Sequence, residues 1–439
     1  MKNKTQISAK KISKALFLVG MGVWLNSCAL FYTPQSTQTT QSTSTTQDIN
    51  VNANAQNTAN IEVLYRTLDQ ENSIRVFVEA YLPRIENANV QTFVNDFEAN
   101  FALLENYTSQ QYLKAGKLNW SEAQVSKRKN KFYFHFDIPK EGERTNALLL
   151  LEISDRTSTQ KKMIDIPLSF VSTKFRQTHL IFDGSRTLPK FSNFFVIGDT
   201  LQVGTSKTTN EPIYVQVFKD DFSAATPPMA YNVGTTINLN NLKLDTSFVW
   251  EKEKPIILSK SGVYFLRNDN SAFYGLSFYV APHQFPKFNK ATDLIQPLMY
   301  ITTEEEMRTL QNSTEPKKDL DRFWLKLSQN SPTKAQKTIR AFYNRVRLAN
   351  LYFTTYKEGW KTDRGMIYII FGNPNRVRRA DDREVWTYTS NASFAEINFT
   401  FMRRPNQFSD DELQLVRYPE YEQIWYPYIE FWREGKNEI

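Results

Sequence analysis

The chain has 439 residues, of which 41% are hydrophobic and 23% are charged, and its formal net charge is +8. This length accommodates roughly two to four domains that each bury a core, and the 14% aromatic content excludes a disordered or fibrous chain. One cysteine and three histidines exclude a disulfide scaffold and a zinc or haem site built from Cys and His, so no cofactor and no metal are expected. The positive charge first suggests an acidic partner such as nucleic acid.

The N-terminus has the pattern of a secretory signal that ends in a lipid attachment site. Five lysines precede the apolar residues 15–25, which span about 16 Å as a helix and are too short to cross a bilayer. The run ends in Leu25-Asn26-Ser27-Cys28, which resembles a bacterial lipobox. The resemblance implies cleavage after residue 27 and diacylglycerol on the Cys28 thiol. Residues 1–27 are therefore predicted to be a lipoprotein signal peptide, and lipidated Cys28 is predicted to attach the mature chain to a membrane.

Export excludes nucleic acid as a partner and also predicts a location. Ala29 and Leu30 follow the cysteine, with no aspartate there to mark retention at the inner membrane, so the outer membrane is expected. Some bacteria mark surface-exposed lipoproteins with acids directly after the cysteine, but the first acid here is Asp48. The periplasmic face is therefore favoured over the cell surface.

A flexible tether and two β-rich modules are predicted to follow. Residues 28–60 form the tether, because Thr, Ser, Gln, Asn and Ala dominate from residue 33 onward and cannot bury enough apolar surface to offset ordering entropy. Residues 61–185 contain short alternating runs such as KFYFHFDI at 131–138, which are typical of an antiparallel β-sandwich. Residues 186–285 repeat this style, with TINL at 236–239 among their predicted strands, and predict a second, smaller sandwich.

The hydrophobic period changes near residue 286, so residues 286–439 are predicted to form an α+β module. Thr303 and the acids after it predict a helix start. Ser331 and Pro332 predict the start of a long helix, whose apolar positions recur every three or four residues. The fold class is therefore multidomain and mostly β, with a C-terminal α+β module.

A recognisable motif follows the long helix. It consists of Gly359, Trp360, Thr362 and Asp363, continues with Arg364 and Gly365, and precedes the apolar residues 366–371, which are predicted to form a strand. Its flanks include Phe323-Trp324, Ala349-Asn350, Gly372-x-Pro374 and Trp386-x-Tyr388. Over about residues 285–435 the sequence thus resembles the GWxTD-domain family of bacterial exported proteins. The resemblance implies a lipid-anchored envelope protein with β-rich modules ahead of the domain, and it implies no established activity.

A structural interpretation accounts for each motif residue and is favoured. Gly359 can take a positive φ that closes the helix, and Trp360 can fill a seam between helix and sheet. Thr362 and Asp363 can bind local backbone amides. Gly365 allows close backbone approach.

A catalytic interpretation is the alternative. Asp363 would act as an acid or base, and Arg364 would clamp an anion. This interpretation lacks a nucleophile, a histidine partner or a second carboxylate at motif spacing.

Positive charge is concentrated in the C-terminal module. Residues 331–383 contain twelve Lys or Arg and four acids, a net charge of +8 (12 − 4). One helix face and a turn at 376–379 are predicted to form a patch for lipid phosphate, anionic glycan or an acidic protein. The residues of this predicted patch are Lys334, Lys337, Arg345, Arg376, Arg378 and Arg379. A solvated helix face with a charged loop is the alternative interpretation.

Two further features lie near the C-terminus. Residues 409–412 (SDDE) resemble a helix capping box. The aromatic-rich residues 418–432 predict either a helix that docks onto its own domain, which is favoured, or an interface with a partner.

The functional hypothesis is a lipid-anchored outer-membrane protein with a non-catalytic scaffold or interaction role and an envelope protein as partner. The alternatives are an envelope hydrolase that uses Asp363 and Arg364, and a lipoprotein that binds an anionic envelope component through its basic module. Removal of the five signal-peptide lysines lowers the net charge to +3 (8 − 5). Only the basic module then points to an acidic partner.

Overall fold

The computed structural model describes residues 61–120, 125–171, 174–206, 211–230, 242–251, 254–389 and 396–436. The predicted signal peptide, Cys28, the tether and the predicted strand at 236–239 lie outside these residues. Strands make up 36% of the described residues and helices 27%, with most helices in the C-terminal part. This confirms a mostly β chain with a C-terminal helical region. Within the described ranges, no helix has both the length and the hydropathy needed to span a membrane.

The first module, residues 62–169, contains two antiparallel four-stranded sheets, of order β1-β2-β6-β5 and β4-β3-β7-β8. Its strands follow the alternating pattern of the sequence, and in β2 every second residue from Ile74 to Ala80 is buried. Its elements are β1 (Glu62–Asp69), β2 (Ser73–Tyr81), α1 (Val90–Asp96), β3 (Phe97–Leu104), β4 (Lys114–Lys117), β5 (Val125–Arg128), β6 (Lys131–Pro139), β7 (Asn146–Asp155) and β8 (Lys161–Ser169).

Both sheets of this module bury side chains in one core. Phe93 of α1 is fully buried, and its ring stacks on Phe132 of β6 at 5.0 Å and on Phe97 of β3 at 5.8 Å. Because β6 and β3 belong to different sheets, these aromatic contacts join the two sheets. Leu149 and Leu151 of β7 complete the same core.

The second module, residues 175–281, contains a five-stranded sheet, β10-β16-β15-β12-β13, and a three-stranded sheet, β14-β11-β9. The pair β10–β16 is parallel and the other pairs are antiparallel. Trp250, Val215 and Leu266 lie in its core. Its elements are α2 (Phe175–Thr178), β9 (His179–Asp183), β10 (Phe194–Val196), β11 (Thr200–Thr205), β12 (Ile213–Phe218), β13 (Leu244–Trp250), β14 (Ile256–Ile257), β15 (Gly262–Arg267) and β16 (Leu276–Ala281).

The C-terminal region packs helices against a four-stranded antiparallel sheet, β17-β18-β19-β20. Short 3-10 helices at Gln296–Tyr300, Gly359–Lys361 and Pro419–Tyr421 connect its elements. Those elements are α3 (Ala291–Ile295), α4 (Glu304–Gln311), α5 (Pro316–Leu327), α6 (Pro332–Phe353), α7 (Asp363–Phe371), β17 (Arg376–Arg379), β18 (Arg383–Thr389), β19 (Glu396–Arg403), β20 (Leu413–Leu415) and α8 (Glu422–Arg433).

The predicted helix starts are confirmed by their caps. Thr303 and Glu306 form a reciprocal capping box at α4, with bonds of 3.2 and 3.0 Å. The Ser331 side chain accepts a hydrogen bond from the Lys334 amide at α6, and Pro332 occupies the first turn. The helix α6 buries one face, which includes Phe342, in the domain core.

The aromatic tail docks onto its own domain, as predicted. Trp425, Ile429 and Trp432 on one face of α8 are buried. The Trp432 indole donates a hydrogen bond of 3.1 Å to the Ile370 carbonyl of α7. The helix α8 therefore covers α7.

Residues 366–371 were predicted to form a strand, but they belong to the helix α7. Thr362 caps this helix, and Gly372, with φ of +82°, ends it. Every residue from Gly365 to Phe371 is buried, so this part of the helix is buried on all sides and shows no amphipathic period. A short apolar run of this kind looks the same in sequence whether it forms a buried strand or a buried helix.

Two further local predictions are wrong. Residues 376–379 form the strand β17 rather than a turn, and they pair with β18 from Thr387 to Glu384. Residues 409–412 do not start a helix. The Ser409 hydroxyl instead accepts a hydrogen bond from the Asp411 amide, and the strand β20 follows. Ser and Asp side chains bind nearby amides in loops as readily as at helix starts.

Candidate functional site

The GWxTD motif forms a buried turn between α6 and α7. A Cβ atom at Gly359 would lie 2.0 Å from the Ala349 carbonyl oxygen, and one at Gly365 would lie 1.8 Å from the Gly359 carbonyl oxygen. Both distances are far below van der Waals contact, so these positions require glycine. The predicted close approach at Gly365 is confirmed. The predicted positive φ at Gly359 is wrong, because this residue begins a 3-10 turn with an ordinary negative φ. Glycine is required here because a larger side chain would collide with the backbone of α6.

Side chains of the motif and of α6 satisfy the polar backbone groups of this turn. The Thr362 hydroxyl donates to the Gly359 carbonyl at 2.7 Å and accepts from the Gly365 amide at 3.0 Å. Asn350, fully buried on α6, accepts a hydrogen bond of 3.0 Å from the Trp360 amide. Thr354 accepts from the Gly359 amide at 2.9 Å. The turn is thus bonded to the end of α6 at two successive amides.

Trp360 lies in the core of the C-terminal region, 2% exposed. The turn that contains it packs against α6 and α7, and the Trp360 ring lies 6.2 Å from the Tyr300 ring. Its indole donates to Glu358 at 3.2 Å, and its carbonyl accepts from the Tyr300 hydroxyl at 2.9 Å. Each polar group of Trp360 therefore has a partner within the chain.

Lys361, the variable residue of the motif, connects the turn to the second module. It is 8% exposed, and its amine lies 2.7 Å from Glu358 and 3.2 Å from Asp220, which follows β12. Tyr279 of β16 donates to the other Asp220 oxygen at 2.9 Å. Burial alone would lower the pKa of the Lys361 amine, but the two carboxylates outweigh burial and raise this pKa above its usual value. Lys361 therefore remains a cation between two carboxylates.

Asp363 binds the last residue of β20 and Arg417, which follows that strand. One oxygen accepts a hydrogen bond of 2.8 Å from the Leu415 amide, and the other pairs with the Arg417 guanidinium at 2.5 Å. Arg417 also donates to the Thr226 carbonyl of the second module at 3.0 Å. Asp363 was predicted to bind local amides, but its partners lie more than 50 residues away along the chain.

Arg364 belongs to a chain of charges that reaches the first module. Its guanidinium lies 3.9 Å from Glu384, which pairs with Arg379 at 2.9 Å. Arg379 also pairs with Asp165 of β8 at 2.9 Å, and the Tyr107 hydroxyl donates to the same aspartate. Burial alone would raise the pKa of the Glu384 carboxyl, but the charges of Arg364 and Arg379 outweigh burial and lower this pKa.

Three of the six residues in the predicted basic patch use their charge within the chain. Arg345 donates to the Ile370 carbonyl at 3.0 Å and lies over the Trp432 ring, 5.1 Å from its centroid. Arg376 pairs with Glu396 at 3.3 Å, and Arg379 bridges two carboxylates as described above. Lys334 and Arg378 are half-buried and Lys337 is exposed. A binding role for these six residues stays a prediction.

Chemically, this arrangement is suited to joining parts of the chain. Sequence reasoning singled out the motif but missed its partners Asp220, Arg417 and Glu384, and it missed Asp165, which pairs with Arg379. Each is an ordinary charged residue far from the motif in sequence, and no local pattern marks it. In the described part of the chain, no three His, Cys, Asp or Glu side chains lie close enough together to hold a metal ion.

Replacing Gly365 with alanine tests the backbone contact. Gly365→Ala is expected to lower the free energy of unfolding by about 3 kcal/mol or more, because the methyl group would overlap the Gly359 carbonyl. Gly142→Ala is the control, because Gly142 has positive φ but no atom within 4 Å of the added methyl group, and it should cost about 1 kcal/mol. Denaturant unfolding compares the two. Equal losses would show that close approach is not the constraint.

The lowered pKa of Glu384 predicts a pH dependence of stability. The carboxyl has a lower pKa in the folded than in the unfolded chain, so its stabilisation is complete above about pH 4.3 and is lost as the pH falls through the folded pKa. Glu384→Gln should cost about 3 kcal/mol at pH 7 and flatten the loss of stability in acid. Thermal unfolding between neutral and acidic pH measures this. The exposed control Glu143→Gln should keep the native slope, and a native slope in Glu384→Gln would contradict the prediction.

Comparison with known proteins identifies the C-terminal part of the chain. No curated protein matches the chain. A crystal structure of Dpr2 Ig1-Ig2 in complex with DIP-Theta Ig1-Ig3 matches 51% of this chain and 99% of that chain at 12% identity, with a TM-score of 0.16, which is too low to assign a fold. Residues 262–434 match the family model of the GWxTD domain, and the match begins at the first residue of β15. Residues 262–434 of the chain therefore contain a GWxTD domain.

Proposed function

We propose that this protein is a lipid-anchored outer-membrane protein whose GWxTD domain has a non-catalytic scaffold or interaction role in the cell envelope. The observation that supports this role most strongly is the use of the motif side chains. Thr362 binds the backbone of its own turn, Lys361 binds Asp220 of the second module, and Asp363 binds Arg417. These residues stabilise one arrangement of the chain.

Contacts between the modules support a scaffold of defined shape. Arg66 of the first module donates to the Phe191 carbonyl of the second at 2.6 Å. Lys174, which immediately precedes α2 of the second module, pairs with Asp410 of the C-terminal region at 2.6 Å. Arg379 connects the C-terminal region to the first module. Each module is thus bonded to the other two, and we interpret the two N-terminal modules as β-sandwiches that position the GWxTD domain.

The signal pattern and Cys28 support the location. In this proposal the acyl chains on Cys28 attach the protein to the outer membrane, with the periplasmic face favoured, and an envelope protein is the partner. Stable attachment requires two or more such chains.

The hydrolase alternative has less support. Both carboxylate oxygens of Asp363 already accept hydrogen bonds, from Leu415 and Arg417. Arg364 lies over the Phe353 ring, 5.4 Å from its centroid, and near Glu384. An acid or base must reach a substrate proton, and an anion clamp must face the substrate, so these contacts favour the structural role. The binding of an anionic envelope component by the basic module remains the second alternative.

Cys28→Ser tests the anchor. In the native bacterium, the wild-type chain should incorporate an alkyne analogue of palmitate and fractionate with the outer membrane, and Cys28→Ser should lose the label. Ser42→Ala in the predicted tether is the control and should behave as the wild type. A labelled Cys28→Ser variant, or a wild-type chain without label, would contradict the anchor.

Asp363→Asn separates the scaffold from the hydrolase. In a scaffold the change leaves the Arg417 guanidinium without its counter-charge in a site where the two side chains are 10% and 13% exposed, so unfolding should become easier by about 3 kcal/mol. Asp321→Asn is the matched control, because this aspartate is exposed on α5 and should cost under about 1 kcal/mol. Normal stability of Asp363→Asn, together with lost hydrolysis of purified peptidoglycan, would support the hydrolase instead.

A further inference from the structure

An apolar groove of about 360 Å³ lies between α6 and the segment that leads into α3. Its walls are formed by Phe288, Leu294, Tyr343 and Val346. The Tyr343 hydroxyl donates to the Leu294 carbonyl at 2.8 Å, so the tyrosine contributes mainly its ring to the groove. This volume lies at the small end of the range for binding sites.

The groove is attached to the GWxTD turn through one buried side chain. Asn350 donates to the Pro286 carbonyl at 3.3 Å and accepts from the Trp360 amide at 3.0 Å. Pro286 also lines the groove. Asn350 of α6 thus bonds both one groove wall and the motif.

Two cations border the groove. Lys287 is exposed, and the Arg347 guanidinium donates two hydrogen bonds to the Asn344 side chain, at 2.9 and 3.2 Å. Within the described ranges, no carboxylate lies at salt-bridge distance from either cation. This distinguishes them from Arg345 and Arg379, whose charges are used inside the chain.

The helix face beside the groove extends the basic and apolar surface. Arg340, Asn344, Arg347 and Leu351 follow one another at three- or four-residue spacing and lie on one face of α6. Arg340 is exposed, and Leu351 is 40% exposed. This stripe is about 16 Å long, which equals about five residues of extended peptide. The two arginines are about 10 Å apart along the helix axis, and the hydrogen bonds to Asn344 hold the Arg347 guanidinium against the helix, so the stripe presents two separate positions for carboxylates.

We propose that this basic groove (Lys287, Phe288, Leu294, Arg340, Tyr343 and Arg347) binds an extended acidic peptide segment of a partner protein, with apolar side chains in the groove and carboxylates on the flanking cations. The inference rests on the proposed interaction role and names the class of its partner. Several separated cations fit several separated carboxylates better than the single head group of a fatty acid. The predicted tether is a poor complement, because Asp48 is the only charged residue among residues 33–60.

A displayed library of random decapeptides, selected on the purified full-length chain, tests the proposal. The enriched peptides should combine Asp or Glu with aliphatic or aromatic residues, and their binding should weaken as the salt concentration rises. No enrichment, or enrichment of neutral or basic peptides, would overturn the proposal.

Charge reversal locates the binding surface. The double variant Arg340→Glu/Arg347→Glu should bind the selected peptides at least about tenfold more weakly, because repulsion replaces attraction at two positions. Arg144→Glu is the matched control, because Arg144 is exposed in the first module, and it should leave affinity unchanged. Thermal unfolding verifies that both variants fold. Equal binding by the double variant and the wild type would overturn the proposal.

Two further measurements distinguish an acidic peptide from other possible occupants of the groove. Decanoate is the probe for a single-headed amphiphile, and binding as tight as that of the peptides would overturn the proposal. A dimer in light scattering that the double variant dissociates would assign the groove to a second copy, which also overturns it. Failure of these binding assays leaves the palmitate labelling at Cys28 and the Asp363→Asn result unaffected, so the groove and the scaffold role fail separately.

Discussion

The C-terminal domain depends on a backbone contact that leaves no room for a single methyl group. The Gly359 carbonyl oxygen would lie 1.8 Å from a Cβ atom at Gly365, and Gly359 itself touches the backbone of α6 at Ala349. Two glycines therefore bring the end of α6 and the start of α7 together. This contact sets the direction of the three charged side chains that follow. Lys361 reaches Asp220, Asp363 reaches Arg417, and Arg364 approaches Glu384.

The buried charges at these positions contribute little to the net free energy of unfolding, but they favour one arrangement of the modules over others. Removing an ion pair from water costs much of what the attraction returns, so a buried pair often contributes little net free energy. The loss of one partner is expensive, because the remaining charge is buried alone. Lys361 pairs with Asp220 of the second module, and Arg379 pairs with Asp165 of the first module. A displaced module would separate these charges, so the pairs penalise alternative arrangements.

Periodic sequence signals predicted much of this fold. The alternation in β2 and β6, and the Ser331-Pro332 start of α6, correspond directly to observed elements. The helix α7 could not be predicted in this way, because it is buried on all sides and shows no period. Prediction of the candidate site from the sequence is limited in a similar way. Local chemistry predicted the role of Thr362, but the partners of Asp363 lie more than 50 residues away, and Asp165, one of the two partners of Arg379, lies more than 200 residues away.

The hydrogen bond from Trp432 to Ile370 has a consequence for synthesis of the chain. The two residues are 62 positions apart, so a ribosome completes all of α7 well before it adds the helix that covers α7. During this interval the apolar residues 366–371 of α7 are not yet covered by α8, and exposed apolar surface on a nascent chain promotes aggregation. Chaperones that bind extended apolar segments would therefore meet this chain at α7. A chain that ended between the two helices would keep this apolar surface uncovered.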